Sequence, residues 1–318
     1  MSAPVIICGS IAFDSIMVFE GQFAEHILPE QVHKLSVSFL VPTMRKEFGG
    51  CAGNIAYNLK LLGGQPVPVA TVGQDGLDYQ TRLKDLGIDT RWIKVAADAY
   101  TAQCFITTDL SDNQITAFHP GAMALSAAND LSDAPGEWAI VAPDAKDAMF
   151  AHAERLHARG VPFVFDLGQA MPLFDGADLT RMLSMARALT VNDYEASVVA
   201  QRTGRTLAEL SQTLDAVVVT RGGEGATVIV KGVETTVAPV VAARVVDPTG
   251  CGDAHRAGLL YGLTAGWNWV DSCKLGNLMG ALKIAERGPQ NHAPTRAEIG
   301  AQLGAAYGLA LPDAAASN

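Results

Sequence analysis

Asp247-Pro248-Thr249-Gly250-Cys251-Gly252-Asp253 runs directly into Ala254-His255-Arg256-Ala257-Gly258-Leu259-Leu260. Two glycines immediately before a helical pattern make a turn that exposes backbone N–H groups at a helix N-terminus, where the dipole also favours an anion. Glycine also allows close backbone approach. Asp253 then stands where a carboxylate can meet a hydroxyl beside that anion hole. The set suits phosphoryl transfer: the amides steady developing charge and the carboxylate accepts the hydroxyl proton. Taken alone, the stretch fits a plain helix start equally well, because Asp is a favoured capping residue.

Outward from this stretch, short Val- and Ile-rich runs bounded by Gly, Pro or polar residues predict buried strands at 5–8, 67–72, 139–142, 163–166, 189–192, 217–220 and 227–230. Helical patterns follow many of them, at 52–62, 77–86, 145–159, 193–203, 207–214, 253–265 and 270–286. Strand–helix alternation over most of the chain predicts an α/β fold, a mainly parallel sheet with helices on both faces. Two segments break the rhythm. The first, 11–47, contains Leu35-Ser36-Val37-Ser38-Phe39-Leu40-Val41, an alternation that predicts a half-exposed strand. The second reads as a hairpin, 103–108 and 114–118 around a polar turn. The expected organisation is a discontinuous body (1–10, 48–100, 121–318) and a small β-rich lid made of two insertions (11–47, 101–120); ordinary surface hairpins are the plainer account. The tail 311–318 reads as frayed.

Composition bounds the function. The 318 residues suggest about two structural units. Hydrophobic residues at 49% and charged residues at 18% indicate an ordinary globular chain rather than a disordered one. Lys+Arg 23 against Asp+Glu 33 gives −10, which disfavours binding to nucleic acid as a polymer but leaves room for a small polyanion held by local amides and a metal. Residues 1–10 lack a basic stretch of the signal-peptide kind, and the uncharged run 257–270 is too short to span a bilayer, so a cytoplasmic protein without membrane partners is expected. Five scattered cysteines form no C-x-x-C pair, and His152 and His157, five apart, read as surface residues rather than metal ligands.

Three further stretches carry chemistry. Thr220-Arg221-Gly222-Gly223-Glu224-Gly225 follows a strand, where ligands bind in open α/β sheets, though a Gly-rich hairpin turn explains it as well. Asn192-Asp193-Tyr194-Glu195 can hold phosphate oxygens and hydrated Mg²⁺, or can simply be a capping box with Asn192 as cap and Glu195 at the third helical position. Gly49-Gly50-Cys51-Ala52-Gly53-Asn54 offers a glycine backbone and an amide to a sugar-like ligand, or else serves tight helix packing. No G-x-x-x-x-G-K-[ST], H-R-D or D-F-G occurs, which excludes P-loop NTPases and protein kinases. The stretch 250–255 also lacks the third small residue of the dinucleotide fingerprint and lies too late in the chain for it.

Together and in this order, these motifs resemble the PfkB/ribokinase family of small-molecule kinases, from Gly9-Ser10-Ile11-Ala12-Phe13-Asp14 to Gly288-Pro289-Gln290-Asn291, with Val72-Gly73-Gln74-Asp75-Gly76 also at family positions. The resemblance implies a ribokinase-like, Rossmann-like body with a β-sheet lid. It implies ATP and Mg²⁺ as cofactors, with a monovalent cation and a homodimer paired through the lid left open. It makes Asp253 the catalytic base and Gly250, Cys251 and Gly252 the anion hole. It places ATP against Asn192, Glu195, Thr220, Arg221, Gly223, Gly225 and Asn277, with Asn192 and Glu195 reaching Mg²⁺ through water. Within the family the chain looks most like the bacterial adenosine kinases, on Gly9 to Asp14, Ser36-Val37-Ser38 and Asn113-Gln114-Ile115-Thr116-Ala117-Phe118-His119-Pro120-Gly121-Ala122-Met123. Ser10, Asp14, Ser38, Gly50 and Asn54 would then meet the ribose side, with Phe105 and Phe118 facing the base from the lid. The alternatives are a sugar kinase of the same family, which needs no base-stacking surface, and a silent ligand-binding protein, which needs no base at 253. Cys251 is either an oxidation-sensitive thiol at a helix N-terminus or a small residue in a tight turn.

Overall fold

The computed structural model describes residues 3–27, 36–111 and 113–312. Val5, Ile6, Ile7 and Cys8 are all buried, as a parallel strand covered on both faces requires. They form β1 (Pro4–Cys8) inside a nine-stranded sheet. On one side of β1 lie β4 (Gln65–Gly73) and β5 (Ile93–Ala96). On the other lie β8 (Trp138–Val141), β9 (Phe163–Asp166), β10 (Ala188–Asn192), β11 (Ala216–Thr220), β12 (Ala226–Val230) and β13 (Val233–Val237), in that order. Pairing is parallel from β5 through to β11, and only the last two pairs are antiparallel.

The period of two along β1 sorts its side chains between two cores. Val5 and Ile7 pack with Ile55, Leu59, Ala254, Leu259, Leu275 and Leu278, from the helices Cys51–Leu61, Cys251–Thr264 and Trp269–Ile284. Ile6 and Cys8 pack with Met149, Leu156, Leu179, Met182 and Val199, from the helices Lys146–Ala158, Gly176–Met185 and Asp193–Thr203. The expected parallel sheet with helices on both faces is therefore the observed one. Since β1 has β4 on one side and β8 on the other, the chain winds both ways from it, and the crevice outside its carboxyl end is where such sheets hold ligands.

A separate four-stranded sheet has the order β3 (Thr43–Gly49), β2 (Ala12–Val18), β6 (Ala102–Thr108), β7 (Gln114–His119). β6 and β7 are the expected hairpin. The stretch 35–41 is a correction: Leu35 lies outside the described residues, and 36–41 contain no strand. Their alternation places Phe39 into an aromatic cluster instead, 4.9 Å from Phe19 and 5.0 Å from Phe23 between ring centroids. The strands of this segment are β2 and β3, and β3 (TMRKEFG) carries charges that hid it from a pattern search. Residues 313–318, most of the expected frayed tail, lie outside the described residues. His152 is a second correction. It is fully buried, with Nε2 3.1 Å from the Ser126 carbonyl oxygen, because it shares a helix face with Met149 and Leu156, which are in the core; His157 is exposed as expected.

Candidate active site

Two helices begin side by side beyond the carboxyl end of β1. Ser10 starts the first: its Oγ accepts from the Cys51 N–H at 3.1 Å and its carbonyl from the Ala52 N–H at 2.9 Å, so it caps Cys51–Leu61 from outside that helix. Gly250 starts the second with φ +80°, and a Cβ there would lie 2.7 Å from that of Pro289. Only glycine meets both conditions. The Cys251 N–H donates to the Pro248 carbonyl at 3.1 Å, so it closes the turn rather than facing an anion. Helix geometry leaves the next amides, Gly252 and Asp253, without an intrahelical partner.

Asp253 is the third residue of its helix, and its Oδ2 accepts from Asn54 Nδ2 at 2.8 Å. Burial pushes its carboxyl up to about 7; the Asn54 hydrogen bond opposes the rise and the Asp166 charge adds to it. A group poised there is suited to accept a proton near neutral pH. Asn54 is itself held. Gln290 Nε2 donates to Asn54 Oδ1 at 3.0 Å and to the Tyr79 hydroxyl at 2.6 Å, and that hydroxyl donates to the Gly49 carbonyl at 2.7 Å. Tying down Oδ1 leaves the Asn54 N–H groups aimed at Asp253. A Cβ at Gly53 would sit 2.0 Å from the Tyr79 oxygen, so tight packing does explain this one glycine of the Gly49–Asn54 motif.

Asp14 approaches from β2. Burial, then Glu47, then Asp247 push its carboxyl up to about 6. Register places Asp14 opposite Cys104, and Cys104 opposite Phe118, so Asp14 and Phe118 share a face of the small sheet. Phe105 pairs with Ser15 and Ala117, one residue out of step, and therefore lies on the opposite face. This corrects the expectation that both rings face one ligand; alternation within β6 separates them. Ser38 is exposed, in the segment without a strand, and no hydrogen bond among the described residues ties it to the site.

Thr220, Gly223, Gly225, Cys251, Gly252 and Asn277 line one pocket of about 380 Å³, together with His255 and the apolar residues 239–242. Asn277 Nδ2 donates to the carbonyls of Val237 and Ala238, at 3.3 and 3.0 Å, which orients its amide. The glycine stretch is also a hairpin turn, closed by the Arg221 N–H on the Gly225 carbonyl at 2.8 Å. Arg221 is exposed outside the pocket lining. Asn192 and Glu195 lie outside the lining too and form the capping box, with Asn192 Oδ1 accepting from the Glu195 N–H and the Glu195 carboxylate accepting from the Asn192 N–H, each at 2.8 Å. Burial raises the Glu195 carboxyl. Burial likewise pushes the Cys251 thiol up to about 11, which makes it a small turn residue rather than a reactive thiolate.

The model of the pfkB family of carbohydrate kinases matches residues 12–296. The chain belongs to that family. It is accordingly a phosphotransferase that acts on a hydroxyl group. A nucleoside kinase from Burkholderia thailandensis, solved in complex with inosine, is similar to it at 50% identity, covering 96% of this chain and 99% of that one with a TM-score of 0.87. The same Burkholderia protein in complex with ADP-inosine matches at 52% identity, 96% and 97% coverage and a TM-score of 0.85. The nucleoside kinase of Methanocaldococcus jannaschii matches at 25% identity, 95% and 98% coverage and a TM-score of 0.87.

Several residues of the site escaped the sequence. Arg256, one turn beyond Asp253, makes a buried two-pronged ion pair with Asp166, 3.0 and 3.1 Å. Gln290 reaches Asp253 through Asn54, and Tyr79 accepts from Gln290 behind it. Cys51 sits beside Asp253, and burial and that carboxylate hold its thiol well above the ordinary range. Gln290, Cys51 and Arg256 each lie within a stretch already singled out in the sequence, but nothing in their spacing pointed to these contacts.

Proposed function

We propose that this family member transfers the γ-phosphoryl group of ATP to the 5′-hydroxyl of a purine nucleoside, with adenosine and inosine as the first candidates. The observation that carries it is the row Asp14–Cys104–Phe118, which leads away from the Asn54–Asp253 pair. Two strand spacings separate Asp14 from Phe118, roughly 10 Å. A pentose bound at Asp14 does not span that distance; a pentose carrying a base does. Stacking on an aromatic face is worth about 1–3 kcal/mol per base in nucleic-acid systems. Inosine in the Burkholderia relative supports a purine, and the sequence features that resemble adenosine kinases support the same class.

In this mechanism Asp14 and Asn54 orient the ribose, and Asp253 accepts the 5′-hydroxyl proton at its carboxylate as the phosphoryl group passes in line. The Gly252 and Asp253 amides steady the transferred oxygens. ATP lies against Thr220, Gly223, Gly225 and Asn277. Among the described residues no group of three His, Cys, Asp or Glu side chains could hold a metal ion. Mg²⁺ would therefore be carried by the nucleotide's phosphates and water, with Glu195 touching its hydration shell, and it would supply charge neutralisation. Closure of the small sheet over the body would exclude water from the transfer.

The test is ADP release with adenosine, inosine, guanosine, ribose, fructose and a phosphosugar. Purine nucleosides should give the highest kcat/KM. Equal turnover of ribose or fructose would return the assignment to a sugar kinase. Saturable nucleoside binding with no turnover of any substrate would indicate a silent binding protein.

A further inference from the structure

Lys283 stands in the last turn of the helix Trp269–Ile284 and is completely buried. A buried ammonium is costly unless its N–H groups are met. Here Nζ donates to the Asp247 carbonyl at 2.7 Å and to the Glu286 carbonyl at 3.2 Å. A lysine that merely capped its own helix would bond that helix's terminal carbonyls. This one reaches a segment far away in sequence, at the start of the stretch that turns through Gly250.

The two segments are joined around it. The Val246 and Asp247 N–H groups donate to the Ile284 carbonyl at 2.9 and 3.2 Å, and the Gly288 N–H donates to Asp247 Oδ2 at 2.8 Å. Cys251 Sγ rests 3.9 Å from the same Asp247 carbonyl that receives the ammonium. Burial lowers the Lys283 pKa from its ordinary value, and Asp247, Cys251 and Glu47 oppose that fall by favouring the charged form. The carbonyl oxygens that meet here, beside the anion-binding turn, are what a dehydrated monovalent cation would need. They are already taken.

We propose that the Lys283 ammonium is a built-in monovalent cation: a positioning residue that ligates the Asp247 and Glu286 carbonyls, holds the turn to Gly250 in shape and places a fixed positive charge beside it, so that phosphoryl transfer needs no potassium or sodium. The proposal rests on the assignment of 250–253 as the anion-binding turn. It also makes the monovalent cation that the family resemblance leaves open a poor fit at this place, because the ligands and the volume are spent on a tethered ammonium.

The experiment measures ADP release with inosine and adenosine, using magnesium and ATP as N-methylglucamine salts in alkali-free buffer. Potassium, sodium or ammonium chloride is then exchanged for N-methylglucamine chloride at constant ionic strength, and the melting temperature is read across the same series. The wild-type kcat should change by less than about twofold between salts, with no ion-specific melting shift. Lys283→Ala, which opens the space, should be slow in N-methylglucamine and recover about tenfold or more with potassium or ammonium, its melting temperature rising with the same ions. Lys283→Met, which fills the space without charge, should stay slow in every salt. Stimulation of the wild type about tenfold by potassium, a potassium-specific rise in its melting temperature, or a Lys283→Met variant with wild-type kcat would each overturn the proposal. If Lys283→Ala does not fold, the wild-type arm still decides. Absence of phosphotransfer in all salts would count against the proposed function, and the wild-type melting series would still judge the ammonium.

Discussion

Asn54→Leu tests the hydrogen bond on which the proposed base depends. Leucine keeps the side chain's bulk and removes the donor that lies 2.8 Å from Asp253. A hydrogen bond to a charged group is worth about 1.5–3 kcal/mol, and one pKa unit corresponds to about 1.36 kcal/mol. Losing it moves the Asp253 carboxyl from about 7 upward by about one to two units, because burial and Asp166 no longer meet opposition from Asn54. At pH 7 the ionised fraction then falls from about half to roughly 1–10%. Asn54 is also assigned a ribose contact, so the plateau of kcat/KM falls as well. The two effects separate in a pH profile: the acidic limb of kcat/KM reports the free enzyme's base, whereas the plateau reports lost substrate contact. The assay is ADP release from pH 5.5 to 10 with inosine or adenosine far below KM. The wild type should rise through about pH 7 and the variant through roughly pH 8–9. A variant whose limb stays with the wild type, at any plateau height, refutes the coupling of Asn54 to Asp253.

Three other outcomes follow. Asp253→Asn should lower kcat by on the order of 10²–10⁴ with a smaller change in KM, and near-normal kcat would remove Asp253 from the reaction. Phe118→Ala should raise the nucleoside KM while Phe105→Ala leaves it unchanged, since the rings face opposite sides of the small sheet; the reverse result would invert the assignment of faces. Asp144 is buried, and its Oδ2 has no partner among the described residues; burial pushes its carboxyl up to about 7. The folded state therefore holds this proton more tightly than the unfolded chain does, so the group's stabilisation is present at low pH and is lost as pH rises from about 4 through about 7. Asp144→Asn should flatten that part of a urea-unfolding profile across pH, and an unchanged slope would show that the carboxyl is solvated.

The inner parallel strands of the body's sheet were legible because they are buried on both faces, which forces continuous Val and Ile runs such as those of β1 and β11, whereas the half-exposed edge strand β5 was not. β2 and β3 were not legible, because the small sheet has exposed faces and its strands mix charge with apolar residues. Asp253, Gly250 and Asn54 could be picked out because their chemistry is local, a turn and a helix start. Arg256 with Asp166, and Gln290 with Tyr79, are pairs made by tertiary contact alone. Spacing along the chain says nothing of a hydrogen bond between residues 54 and 290. Phe105 shows a subtler limit: its residue type was right for stacking, but only the strand register reveals which way it points.

The pairing of β2 with β6 carries a consequence for folding. Ala12 lies against Ala102 and Val18 against Thr108, side by side and parallel, so the chain between them must already have travelled out and back before the two can meet. That interval contains β4, β5 and the helices that cover them. The small sheet therefore cannot assemble as an autonomous hairpin; its loop-closure cost falls only once the first part of the body is in place. In such a chain the face that carries Asp14 and Phe118, the proposed nucleoside surface, is expected to form after the body's first strands and to be lost before them. A lesion in the core around Val69 or Leu83 should blunt selectivity at temperatures where most of the molecule is still native, a kinetic vulnerability set by connectivity alone.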